Sequence, residues 1–177
     1  MTSRHWVITG AGVRIQGESR VLIKTTRFGP MEIDPQKTIH FPSGLLGFHA
    51  TKDFIIFDHD HDHDVPFKWL QAIQDPDLAF LIMDPFSIMV DYQVDIHDLD
   101  LQELRANQTT AMAIFVILTI RSDGPMQMTA NLKGPVLVNE ENRWAKQLVL
   151  TNSAYPTRHP IFDALSMAEN STSESQP

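Results

Sequence analysis

The stretch MQMTANLKGPVLVNEENRWAKQLVL, residues 126–150, decides how this chain folds. Val136-Leu137-Val138 is one β-prone run and Leu148-Val149-Leu150 a second, with the polar turn Asn139-Glu140-Glu141-Asn142 after the first. Two such runs around a short polar turn predict an antiparallel hairpin. Pro135 stands just ahead of the first run, where a strand loses least by lacking an N–H.

Working outward from that hairpin, residues 111–120 are apolar and rich in isoleucine, which predicts a central strand covered on both sides. Residues 98–105 carry the best helical pattern: Leu101 and Leu104 share a face, and Asp100 with Glu103 resembles a capping box. Tyr92, Val94 and Ile96 alternate with Gln93, Asp95 and His97, the pattern of a strand with one wet face. Residues 54–57, 66–71 and 78–83 read as further strands, separated by the turns Asp75-Pro76-Asp77 and Asp84-Pro85-Phe86. Residues 21–33 predict a hairpin turning at Gly29-Pro30. Val7-Ile8 and Val13-Arg14-Ile15 fit either a short strand pair or a mobile arm, and residues 155–160 an extended terminal stretch.

About eight short strands and one helix, without a βαβ rhythm, predict a mostly β protein: a small antiparallel β-barrel-like domain with one short helix. That domain is expected over residues 21–162. Residues 1–20 read as an N-terminal extension. Residues 163–177, dominated by Ser, Glu, Asn and Gln, read as a disordered tail.

With 177 residues and 42% hydrophobic composition the chain can bury one core. It contains no cysteine, which excludes disulfides, zinc–thiolate sites and cysteine nucleophiles. The first residues lack a basic stretch followed by an apolar one, and no apolar run approaches the ~20 residues that span a bilayer. A soluble cytoplasmic protein is expected. The net charge of −8 is uneven: residues 53–103 hold 13 acidic side chains and one basic one, Lys68. Such a segment repels a phosphate backbone and attracts a basic protein, though a merely solvating acidic surface has the same composition.

No phosphate loop or nucleophile elbow is present. One run has the residue types of a metal site: Asp58-His59-Asp60-His61-Asp62-His63-Asp64. If extended, it sets His59, His61 and His63 on one face about 7 Å apart, and imidazole with carboxylate suits zinc, nickel or copper. No apolar neighbour fixes that geometry before Val65, so a flexible hydrophilic loop is the simpler reading. A metal-dependent enzyme and a small-ligand β-barrel stand as alternatives. Asp75, Asp77, Asp84 and Asp95 are the candidate partner-facing carboxylates. Trp69, Phe67 and Phe86 fit core better than an exposed patch.

Several phrases, taken in order, resemble the FliW family of bacterial flagellar assembly factors. They are TRFGPMEI (26–33), IHFPSGLLGF (39–48), PFKWLQ (66–71), DPDLAF (75–80), DPF (84–86), DY (91–92), TANLKGP (129–135), KQLVL (146–150) and YPTRHP (155–160). The resemblance implies a non-enzymatic cytoplasmic β protein without cofactor. It implies two alternative partners, flagellin awaiting export and the RNA-binding translational repressor CsrA. Flagellin on the protein leaves CsrA free to silence flagellin mRNA, and export of flagellin frees the protein to capture CsrA. Residues 1–20, the Asp/His run and the tail after Phe162 depart from the family pattern.

Overall fold

Strand β9 (Met112–Arg121) is the longest of the computed structural model, which describes residues 6–9, 12–15, 20–58, 66–121, 124–151 and 154–161. One edge of β9 pairs with β8 (Ala79–Met83), through Ile82↔Ile117 and Met83↔Val116. Its other edge is shared: β11 (Val136–Asn139) takes residues 112–115, and β10 (Gly124–Ala130) takes the far end through Ala130↔Leu118. Between them Asn131 N–H still donates to Ile117 O at 2.9 Å, and residues 132–135 then swing off the sheet.

From β9 the sheet extends both ways, antiparallel throughout. On one side come β8, β7 (Phe67–Ala72), β6 (Asp53–Asp58) and β5 (Ile39–His40); on the other, β11 and β12 (Ala145–Gln147). The two ends of this path meet at one parallel bridge, His40↔Trp144, with His40 N–H donating to Arg143 O at 2.9 Å. The seam is reinforced by side chains. The His40 and Trp144 rings lie 5.3 Å apart, and the Arg105 guanidinium sits 3.6 Å from the Trp144 ring centre.

Period-two alternation gives this curled sheet an inside and an outside. Ile39, Phe54, Leu70, Ile82, Val136, Val138 and Ala145 turn inward with Phe41 and Leu45 to fill the interior. Trp69, Leu81, Met83, Val116 and Leu118 turn outward, under a cover that includes Phe28, Tyr92, Leu132, Leu150 and Ile161. Phe41, Phe54, Leu70, Ile82 and Val136 are fully buried, so the space that a small-ligand barrel needs is occupied by the protein's own side chains.

The hairpin of β3 (Val21–Thr25) and β4 (Gly29–Ile33) packs Ile23 and Ile33 on Ile55. Its turn is Thr26-Arg27-Phe28, and Gly29 and Pro30 lie inside β4 rather than forming the turn. Thr25 Oγ1 sets that geometry, accepting from Phe28 N–H and donating to Gly29 O. At the N-terminus β1 (Trp6–Thr9) and β2 (Gly12–Ile15) form the anticipated pair. Near the C-terminus β13 (His159–Pro160) pairs with β10.

Three further expectations change. The hairpin partner of β11 is Ala145–Gln147, one step earlier than residues 148–150, because Asn139 already closes the turn. Asn139 is buried; its Oδ1 accepts from Glu141 and Asn142 N–H, and its Nδ2 donates to Leu104 O. Residues 92–97 form no strand: Tyr92 is buried, and Val94 and Ile96 pack on the cluster of Leu104, Leu137 and Leu148 without a ladder. The alternation there reflects which side chains face the core, and the backbone bonds elsewhere, as in Gln93 N–H to Tyr155 Oη at 2.9 Å. Finally, α1 (Asp98–Glu103) is capped through His97 N–H to Asp100 Oδ2 at 3.0 Å, not through Glu103.

Asp100 and Glu103 instead clamp the helix to β12. Lys146 Nζ lies 2.9 Å from Asp100 Oδ1 and 2.5 Å from Glu103 Oε2, and Ser43 Oγ donates to Glu103 Oε1 at 2.6 Å. Partial burial works against the Asp100 carboxylate, but the Lys146 and His97 hydrogen bonds outweigh it and hold the group below the usual carboxylate range. Hydrogen bonds from Lys146 and Ser43 do the same for Glu103. Burial disfavours the Lys146 ammonium, yet the two carboxylates raise its pKa overall.

Because both carboxyl pKa values are depressed on folding, their contribution is present above roughly pH 5 and is lost as pH falls through the depressed values. Thermal melts should show Lys146→Met about 3–6 °C below wild type at pH 7, with the gap closing toward pH 2.5. A gap independent of pH would count against the clamp. Gly44 has φ +73°, and a Cβ there would stand 2.7 Å from His49 Cα and Phe48 O. Gly44→Ala is expected to cost on the order of 2 kcal/mol or more in urea unfolding.

Candidate functional site

Five of the phrases singled out in the sequence lie far apart along the chain, yet they close around one groove of about 400 Å³. Leu45 and Leu46 come from the loop after β5, Phe80 from β8 and Asn131 from the end of β10. Gln147 comes from β12, Thr157 and Arg158 from the segment before β13, and Ile117 and Thr119 of β9 complete the lining. The loop is held tightly: Gly44 N–H donates to Phe41 O, Phe48 N–H to Leu45 O, and Leu46 N–H to Gln147 Oε1 at 3.1 Å. Leu45 is thereby buried while Leu46 remains 50% exposed. Phe48 rests edge-on against Phe80 with ring centres 5.2 Å apart.

The excursion at residues 132–135 forms the groove's neighbouring support. Gly134 lets Asn131 approach closely, since a Cβ there would fall 2.8 Å from Asn131 Nδ2. Gln147 Nε2 donates to Gly134 O at 3.2 Å, and Tyr92 Oη donates to Leu132 O. Burial, and secondarily Tyr155, push the Tyr92 phenol well above its ordinary value, so it stays a donor. Asn131 Oδ1 is shielded and accepts no hydrogen bond among the described residues. It is an acceptor that a bound donor could satisfy.

A second groove of about 290 Å³ adjoins the first across Gln147, lined by Asp95, His97, Asp100, Lys146 and residues 147–151. The first groove mixes apolar and polar side chains with one cation, Arg158; the second is acidic, with two aspartates to one lysine.

The four carboxylates anticipated from the sequence are all exposed, but they do not form one cluster. Asp75 and Asp77 share the β7–β8 turn. There Asp77 N–H donates to Asp75 Oδ1 at 3.1 Å, Thr26 Oγ1 donates to Asp77 Oδ1, and buried Gln71 donates to Asp75 O. Asp84 lies at the opposite end of β8, roughly 20 Å away along the strand, where its Oδ1 accepts from Phe86 N–H at 2.8 Å. Asp95 alone lines a groove. His59, His61 and His63 fall outside the described residues. Among the described residues no three His, Asp or Glu side chains are placed to hold a metal ion, and no helix is long and apolar enough to cross a membrane. Trp69 is buried in the core, Phe67 packs against it, and Phe86 is 43% exposed.

Composition and periodicity gave no sign of Leu46, Asn131, Gln147 or Arg158 as groove residues. Their only signal lay in the phrases that carry the resemblance.

Comparison with known proteins accounts for that signal. The FliW protein family model matches residues 22–161. The flagellar assembly factor FliW of Thermoanaerobacter pseudethanolicus is 38% identical over 146 residues, covering 82% of this chain and 96% of its own. That of Alkaliphilus metalliredigens is 31% identical over 157 residues, covering 89% and 96%. A crystal structure of the flagellar assembly factor FliW superposes with a TM-score of 0.72 at 34% identity, covering 80% of this chain and 97% of that one. Matched in sequence over nearly the whole β domain, and in fold to a solved relative, this chain belongs to the FliW family of flagellar assembly factors.

Proposed function

We propose that this protein is a cytoplasmic, non-catalytic binding module that alternates between flagellin and the translational repressor CsrA. Flagellin occupies it while subunits await export, leaving CsrA to silence flagellin mRNA. Once flagellin is exported, the freed protein captures CsrA and synthesis resumes. The observation that carries this reading is the groove around Leu46, Phe80, Asn131, Gln147 and Arg158, where the family phrases meet. A solvent-facing leucine beside an edge-on phenylalanine pair offers anchor area for a protein surface, while Phe41, Phe54, Leu70 and Ile82 fill the interior of the described sheet.

The acidic residues act before contact. Asp75, Asp77, Asp84 and Asp95 are dispersed, so they serve as sources of a negative field that draws in a basic RNA-binding protein rather than as one docking spot.

Calorimetry with purified flagellin and CsrA from the same cell should give dissociation constants below about 10 μM, worth roughly 7 kcal/mol. Leu46→Asp should weaken at least one partner tenfold or more without moving the melting temperature. Failure of the wild-type protein to bind either partner would reject the reading. In stopped-flow mixing at low salt, the quadruple change Asp75→Lys, Asp77→Lys, Asp84→Lys, Asp95→Lys should slow CsrA association about tenfold or more. An unchanged rate places the encounter surface elsewhere.

A further inference from the structure

The polypeptide just beyond β12 is an open sheet edge. Leu148 N–H donates to Pro135 O at 2.8 Å and Leu150 N–H to Lys133 O at 2.9 Å, so these residues continue the β11–β12 ladder. In an antiparallel ladder the intervening residues turn their N–H and C=O the other way. Those residues are Gln147 and Val149, and among the described residues β12 pairs with no strand except β11. Strand β5 meets this edge only at Trp144 and then departs. Val149 is 62% exposed between Leu148 and Leu150, which are both buried. The edge lines the acidic groove together with Asp95, His97 and Asp100. Lys146 is already engaged by Asp100 and Glu103, whereas the Asp95 carboxylate is unpaired among the described residues.

We infer that the edge at Gln147 and Val149 is a strand-addition site for an extended, lysine- or arginine-bearing segment of a protein partner. The added strand receives and supplies backbone hydrogen bonds at Gln147 and Val149, and a basic side chain projecting from it meets Asp95 and the negative surplus beside Lys146. Backbone pairing supplies the hold, and the charge selects the sign. The chain's own C-terminal residues 162–177 fit poorly, because they contain Asp163, Glu169 and Glu174 and no lysine or arginine. The Asp/His run after β6 is acidic as well. The inference deepens the reading of the protein as a binding module and rests on it.

Amide exchange on the full chain, followed by NMR, tests it with a capped ten-residue peptide of alternating lysine and valine and its glutamate–valine counterpart. The Gln147 and Val149 amides should exchange at least tenfold more slowly with the lysine peptide and be unaffected by the glutamate one. Val149→Pro, which removes an outward N–H and no bond of the fold, should weaken binding of the lysine peptide tenfold or more. Asp95→Lys, at a side chain without structural bonds, should do the same. Unprotected amides, equal response to both peptides, or full binding by Asp95→Lys would overturn the inference. Protection of those amides without peptide that rises with protein concentration would also overturn it, identifying a second copy as the occupant. Peptide protection in a protein that binds neither flagellin nor CsrA would sink the proposed partners and leave strand addition standing. Tight binding of both partners with those amides still exchanging freely would do the reverse.

Discussion

The demand that every buried backbone group find a partner falls hardest on β9, the ten-residue strand at the centre of the sheet. No single neighbour satisfies its outer edge. Strands β10 and β11 divide it, and of the five residues between them 132–135 leave β9 before the chain returns in register. That detour fixes Leu132 under Tyr92, sets Lys133 O and Pro135 O facing residues 148–150, and brings Asn131 against Gly134. The edge of β12, the loop at Leu46 and the groove between them all take their positions from how β9 is covered.

The class of fold was legible from alternation and turn chemistry alone. Phe54, Leu70 and Ile82 turn inward as their period-two spacing requires, and the Asp-Pro pairs mark real turns at Asp75 and Asp84. What escaped the sequence is tertiary. The alternation of Tyr92, Val94 and Ile96 was genuine, yet it arose from side chains resting on a core, a pattern that hydrophobic spacing cannot tell from a strand. The hairpin after Val138 was correctly paired in kind and misplaced by a few residues, because a buried asparagine whose partners lie on another element ended the turn early. Glu103 followed the local rule for a cap but answers to a lysine 43 residues away.

The site was less legible than the fold for a plain reason. Its groove is assembled from six segments, and apart from β9 no single one of them stands out by composition. The phrases that carry the family resemblance supply five of those segments, but only the folded chain explains why they go together: Gln147 touches the Leu46 loop with one end of its amide and Gly134 with the other. Charge, by contrast, was visible in the sequence as a block and is spread out in space, since the two ends of β8 carry Asp77 and Asp84 apart.

The seam between His40 and Trp144 joins positions separated by roughly a hundred residues, an unusually long reach for the contact that brings two sheet ends together. During synthesis, nothing upstream can complete the structure until the residues around Trp144 have emerged from the ribosome. Every newborn copy therefore passes through an interval in which β5, paired with β6 on one side only, waits as an unfinished margin.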